Sequence, residues 1–280
     1  MKKIGILDFF LNNYHANNYP KWFDTYSGGA MKITSAYALT EDPEREMSNE
    51  EWSSIHNNIP LAESVEQVIE ESDVLMVLAP SHPETHERLG QKALTSGKKV
   101  YIDKAFAPDV QTAKRMFALA AAFHTPCCSS SALRFVSEYK RFDTSRIQCL
   151  STRGGGNFEV YAIHQFEPIV ALMGQKPTRI MSVGTQTFPA FLIEFADGRV
   201  ARMEQFMNDP FSITVGYTDG THVTETVETD MFKNFILHVI DFFETGNPIA
   251  DPWQTVSVIG LLEGARLAQQ NPLAWVAICE

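Results

Sequence analysis

Residues 72–107, SDVLMVLAPSHPETHERLGQKALTSGKKVYIDKAFA, read as one strand, helix, strand unit ending on a polar pair. Val74 to Ala79 is an unbroken apolar run of strand length, which suits a parallel strand covered on both faces. Pro80 stops it. Ser81 has the side chain to cap a following helix. Pro83 has no N–H to lose in the first turn, Glu84 suits the positive end of the helix dipole, and Gly97 closes the helix. Val100, Tyr101 and Ile102 make the next strand. Asp103 and Lys104 therefore emerge at its carboxyl end, the edge at which open parallel sheets bind ligands.

Upstream, Lys3 to Leu7 and Met31 to Leu39 read as strands, with a helix between them from Asn17 to Tyr26, a βαβ opening. The intervening turn, Asp8-Phe9-Phe10-Leu11-Asn12-Asn13, stands where a dinucleotide-binding chain carries G-x-G-x-x-G. Asp8, Phe10 and Asn13 occupy the three glycine positions. Of these only Asn13 adopts a left-handed backbone cheaply. A carboxylate at the first position repels a pyrophosphate, and a benzyl group at the second blocks its approach to the backbone. Glu41 and Asp42 come slightly late for the acidic residue that holds an adenosine ribose. His15, with Asn17, Asn18 and Tyr19, reads either as part of a remodelled ligand site or as a polar loop.

Downstream, Glu63 to Glu71 and Pro108 to Phe123 have helical spacing, and Cys127 to Ala132 is a small-residue strand. The organisation then changes. Strands at Arg146–Thr152 and Thr178–Thr187 flank a helix from about Tyr161 to Met173. Phe191–Ala196 and Val200–Phe206 flank Asp197-Gly198, and Ile213–Thr218 and His222–Val227 flank Asp219-Gly220, two strong hairpin signals. Two helices follow, from Thr229 or Asp230 to Thr245 and from Asp251 to Gln270. The expectation is an α/β protein of two domains, residues 1–126 with a Rossmann-like parallel sheet and residues 127–280 with a mostly antiparallel one.

The 280 residues carry 23 Lys and Arg against 34 Asp and Glu, a formal net charge of −11, which argues against a nucleic-acid partner. With 44% hydrophobic and 20% charged residues, the composition is that of a globular soluble protein, and no apolar run reaches membrane-spanning length. Asp8 interrupts the opening apolar stretch, which is read as a strand and not as a signal peptide. Cys127, Cys128, Cys149 and Cys279 lack metal-ligand spacing and suit a reducing cytoplasm. His82 and His86 stand four apart, but no third ligand accompanies them, so no metal is expected.

In order along the chain, these landmarks resemble the glucose-fructose oxidoreductase, inositol dehydrogenase and MocA (Gfo/Idh/MocA) family. The family's proline, histidine, alanine-rich helix and Gly-Lys pair correspond to Pro80, His86, Ala93 and Gly97-Lys98. Its Glu-Lys-Pro corresponds to Asp103-Lys104-Ala105 and its Arg-Phe to Arg134-Phe135. Its glycine-rich turn and histidine-bearing helix correspond to Gly154, Gly155, Gly156, His164 and Glu167. The resemblance implies a Rossmann domain followed by an α/β domain with an open, largely antiparallel sheet, the latter commonly used for self-association.

It also implies hydride transfer between NAD or NADP and a sugar- or polyol-like hydroxyl. Lys104 would polarise the substrate oxygen, His164 would take its proton, and Arg134 and Glu167 would bind substrate. Asp8, Phe10, Asn13, Pro80, His86 and Asp103 would face the cofactor. Those roles suit an ammonium group and an imidazole. The chain departs from the family at its glycine turn and at Val160, where the family has an aspartate four residues before its histidine. Glu159 is one place off and faces away on the helix. The alternative is a member without hydride transfer that binds a small molecule.

Overall fold

A computed structural model describes residues 1–278; the reading of Cys279 lies outside them. The chain divides into two compact units, residues 1–130 with 235–251, and residues 131–234 with 252–280.

The first unit is built on five parallel strands, β1 (Lys2–Asp8), β2 (Met31–Ala38), β3 (Val74–Val77), β4 (Lys99–Ile102) and β5 (Cys127–Cys128), in the order β2-β1-β3-β4-β5. Every residue of β3 is buried, which is why its apolar run does not alternate. The helices are α1 (Tyr14–Tyr26), α2 (Asn49–Ile55), α3 (Val65–Glu71), α4 (His86–Leu94) and α5 (Val110–Ala122). Asn13, Ser48, Ser64 and Asp109 cap α1, α2, α3 and α5 through their side chains. The helix α2 is absent from the sequence reading, although Ser48 and Glu51 form the capping box that announces it. At Gly5 a Cβ would stand 2.4 Å from both Val68 Cγ1 and Ser72 Oγ, so the contact of α3 with β1 requires glycine there.

Two local expectations are corrected. Ser81 does not cap a helix: its φ is 64°, whereas a capping residue is extended. Ala79 (φ 41°) is left-handed as well, and the chain doubles back over the end of β3 with His82 N–H bonded to Ala79 O (3.0 Å). A short 3-10 turn, Pro83–Thr85, then leads into α4. The strand expected over Cys127–Ala132 stops at Cys128, and a 3-10 turn at Ala132–Phe135 follows, with Ser131 Oγ accepting from Leu133 N–H.

The second unit has seven strands, β6 (Ile147–Gly154), β7 (Pro177–Ser182), β8 (Ala190–Phe195), β9 (Val200–Gln205), β10 (Ser212–Tyr217), β11 (His222–Thr226) and β12 (Trp275–Ala277), ordered β11-β10-β6-β9-β8-β7-β12. All pairs are antiparallel except β6 with β9. Both Asp-Gly hairpins form, with Gly198 and Gly220 left-handed. The strand β7 ends five residues earlier than its apolar pattern suggests. At Gly184 the chain comes within 2.4 Å of the Cβ position of any larger residue, at Phe188 O and Ala190 N, which only a tight hairpin produces. The helices α6 (Phe158–Met173) and α8 (Pro252–Gln270) carry the largely buried faces of this unit. Among the described residues no helix is long and apolar enough to cross a membrane.

The helix α7 (Met231–Thr245) starts in the second unit, but from Phe235 onward the chain belongs to the first. That return is absent from a boundary drawn at residue 126. Its cause is aromatic: Phe235 packs against Tyr101 (5.6 Å between centroids) and Tyr19 (6.5 Å), and Phe243 against Phe23 (6.1 Å). Lys2 and Lys99 then donate to Phe243 O (2.8 and 2.9 Å), placing two cations on the negative end of α7.

Two outcomes follow. Phe235→Ala lowers unfolding stability by about 3–5 kcal/mol, measured by urea denaturation, because a fully buried ring is removed from this seam. Glu138 provides a pH signature in the second unit. Burial alone would raise its carboxyl, but the Thr229 hydroxyl and the N–H groups of Glu228 and Thr229 outweigh it and bring it down to about 2. Because the folded value lies below the ordinary 4.5, its contribution is complete above pH 4.5 and fades toward pH 2. Glu138→Gln should cost about 1–3 kcal/mol at pH 7 and progressively less below pH 4.5, read from denaturation curves across that range.

Candidate active site

In the first unit the polar residues gather where β1, β3 and β4 end. Asp8, the last residue of β1, is fully buried. Its Oδ1 accepts from the N–H of Phe9 (2.7 Å) and of Ala79 (2.9 Å), and its Oδ2 from Asn13 Nδ2 (2.9 Å). Burial raises its carboxyl to about 7; the neighbouring Asp103 adds to the rise, and the three hydrogen bonds oppose it.

Asp103, at the end of β4, is also buried but shifts the other way. Burial would raise its carboxyl, yet the charge and hydrogen bond of His15, with Lys104 and His86 nearby, hold it below the usual range. His15 Nδ1 lies 2.7 Å from Asp103 Oδ2, its ring stacks on Tyr19 (5.2 Å), and Tyr101 Oη donates to Asp103 Oδ1 (3.2 Å). So His15 belongs to the buried network, not to a solvated loop. Lys104 follows on, half-buried, and its peptide bond to Ala105 is cis.

Among the other candidates, Pro80 is half-buried between the left-handed Ala79 and Ser81. Phe10 contributes its carbonyl, which accepts from Asn13 Nδ2 (2.7 Å). His86 is fully buried, with Nε2 at 2.7 Å from Leu78 O and Nδ1 at 3.1 Å from Phe106 O. Both ring nitrogens face carbonyls, so this side chain ties the end of β3 to the segment after Lys104. Among the described residues no group of three or more His, Cys, Asp and Glu could hold a metal ion. A cavity of about 770 Å³ lies beside β2, lined by Asn17, Thr34 and His56 among others; Asp8, Phe10, Asn13, Pro80, His86, Asp103 and Lys104 do not line it.

In the second unit, His164 on α6 places Nδ1 2.6 Å from Ser131 Oγ, with Tyr161 and Phe211 packed around the ring at 5.5 and 6.0 Å. Ser131 is absent from the sequence reading, because nothing in its surroundings marks it. Arg134 Nη1 donates to the buried Glu167 (3.1 Å), and Nη2 donates to Gln254. The structure thus brings Arg134 and Glu167 together as a buried ion pair. Glu159 points elsewhere, to Arg266 (3.0 Å), and position 160 is a valine.

Two measurements test these networks. Glu167→Gln leaves the Arg134 guanidinium uncompensated and should cost about 3–5 kcal/mol in unfolding free energy. Asp8 gives the opposite pH sign to Glu138: the folded chain binds its proton more tightly than the unfolded one, so stability declines as pH rises from about 4 to 7. Thermal melts of Asp8→Asn should lack that decline.

Residues 12–129 match the model of an oxidoreductase family described by its NAD-binding Rossmann fold. The uncharacterised oxidoreductase YhhX of Escherichia coli K12 is 33% identical over 76 residues, 27% of this chain and 22% of that protein's length. Among solved structures, GenD2 of gentamicin A biosynthesis, determined with NAD, superposes with a TM-score of 0.80 at 13% identity, over 100% of this chain and 97% of its own. The scyllo-inositol dehydrogenase of Lactobacillus casei gives 0.76 at 13%, over 100% and 98%. NAD is the cofactor of the family.

The family match begins inside the β1–α1 turn, and the residues of that turn do not fit a pyrophosphate as a glycine turn receives one. Asp8 already holds the Phe9 and Ala79 N–H groups, and the Asn13 carbonyl oxygen of the side chain already caps Ala16 N–H (3.0 Å). The first unit thus matches the model of the GFO_IDH_MocA oxidoreductase family over residues 12–129, and the whole chain, with its parallel first sheet and largely antiparallel second sheet, shares the fold of these solved dehydrogenase structures.

Proposed function

We propose that the protein is an oxidoreductase that exchanges a hydride between NAD or NADP and a hydroxyl-bearing carbon of a sugar- or polyol-like substrate. The observation that carries this reading is Lys104, half-buried at the carboxyl end of β4 beside Asp103, inside the stretch that matches the oxidoreductase family model. The inositol dehydrogenase named among its structural relatives supports the substrate class.

The chain's own part in such chemistry is charge and proton handling. The Lys104 ammonium group stabilises negative charge developing on the substrate oxygen. Within the second unit, His164 can act as a proton acceptor at Nε2 when Nδ1 carries a proton and donates a hydrogen bond to Ser131 Oγ. In this chain the Ser131 hydroxyl orients that ring. Arg134 and Glu167 hold each other and so shape the wall of the second unit near His164 without either charge standing alone.

One observation favours the second reading, a family member that binds a small molecule without transferring hydride: the pyrophosphate turn is filled by Asp8. Calorimetric titration with NAD, NADP and their reduced forms separates the two. Binding below millimolar concentration is the expected result, and no heat at millimolar cofactor overturns the oxidoreductase reading. Given turnover on a polyol panel, Lys104→Ala and His164→Ala should each lower it by about 10²–10⁴-fold while leaving cofactor affinity within tenfold. A loss of affinity alone would assign those residues to binding.

A further inference from the structure

A Rossmann turn receives a diphosphate on main-chain N–H groups that converge at the end of the first strand and the start of the first helix. Here one such donor, Phe9 N–H, is already held by an anion that belongs to the chain, and the same anion holds Ala79 N–H beyond β3. The Asp8 carboxylate takes Phe9 N–H (2.7 Å) from its own turn and Ala79 N–H (2.9 Å) from the end of β3. A side chain that merely stabilised a local turn would need only the first of these. The second ties two strand ends across the crest of the sheet.

Asn13 completes the closure: its Nδ2 donates to Asp8 Oδ2 (2.9 Å) and to Phe10 O (2.7 Å), while its Oδ1 caps α1 at Ala16. The side of the turn facing the end of β2 is closed as well. Asn12 Nδ2 donates to Asp42 (2.8 Å), which also accepts from the N–H of Glu44 and Glu46. Asn49 Oδ1 accepts Leu11 N–H (3.3 Å), and Glu41 holds Asn49 in turn. Both acidic residues available for an adenosine ribose are therefore bonded into the loop. On the other side the Phe9 ring packs on His82 at 4.6 Å, bridging the turns after β1 and β3.

We propose that Asp8 is the turn's built-in anion: its carboxylate occupies the main-chain donors that a diphosphate would use, and a dinucleotide engages this crest only when Asp8 releases them. The choice of ligand rests on the oxidoreductase reading above. Asp8 acts through the donors it holds and is a negative determinant of cofactor affinity. Removing its carboxylate opens the seat.

The test is isothermal titration of NADH and of inorganic pyrophosphate into the full-length wild-type protein and into Asp8→Gly, Asp8→Ala and Asp8→Asn. Circular dichroism and melting curves identify which variants fold. The expected result is at least tenfold tighter binding of both probes to a folded Asp8→Gly or Asp8→Ala chain, with a smaller gain for Asp8→Asn, which keeps an acceptor oxygen but loses the charge. Dissociation constants within threefold of wild type in every folded variant would overturn the proposal. So would a gain for NADH without one for pyrophosphate, since the effect would then lie outside the diphosphate seat. The two readings fail separately: wild type that binds NADH as well as its variants keeps the oxidoreductase reading and removes this proposal. Variants that gain binding over an inert wild type do the reverse.

Discussion

Two carboxylates, Asp8 and Asp103, stand buried at the carboxyl edge of a parallel sheet, and the organisation of the first unit follows from compensating them. A buried carboxylate is tolerated only with hydrogen bonds or an opposite charge. The two are compensated differently. Asp103 has a histidine, a tyrosine hydroxyl and a neighbouring lysine, and stays ionised below the ordinary range. Asp8 has only neutral donors, and its carboxyl rises to about 7. The acid beside Lys104 is thus a fixed charge, while the acid in the turn titrates near neutrality.

That difference separates the two parts of a Rossmann crest. The β4 end, with Asp103 and Lys104, keeps a charged pair where ligands meet open sheets. The β1 end is sealed by Asp8, Asn13, Asn12 and Asp42, each satisfied by another residue of the same unit. His86 ties the end of β3 to the segment after Lys104 through Leu78 O and Phe106 O.

In the second unit the His164 ring is hydrogen-bonded to Ser131, far away in sequence. Arg134 and Glu167, each of which reads in isolation as a substrate ligand, neutralise each other across a buried contact. Residues with chemically suggestive side chains stand out in the sequence, and in the structure Asp8, Asp103, His164, Arg134 and Glu167 lie in polar networks. Their partners were not recognisable, because hydroxyl and amide partners such as Ser131, Asn12 and Gln254 carry no periodicity or composition signal.

The sequence by itself determined the succession of strands in the first unit, both hairpins of the second, and the placement of Asp103 and Lys104 at a strand's end. These depend on local apolar runs, caps and Asp-Gly turns, which act over a few residues. Only the tertiary structure decided that Phe235 to Asp251 return to the first unit, since that depends on rings of Tyr19, Phe23 and Tyr101 distant in the chain. It likewise decided the parallel pairing of β6 with β9 and what Asp8 does. From sequence, Asp8 is a carboxylate in the wrong place for a pyrophosphate. Folding brings Ala79 N–H to it across 71 residues, and that bond turns a missing glycine into an occupied anion seat.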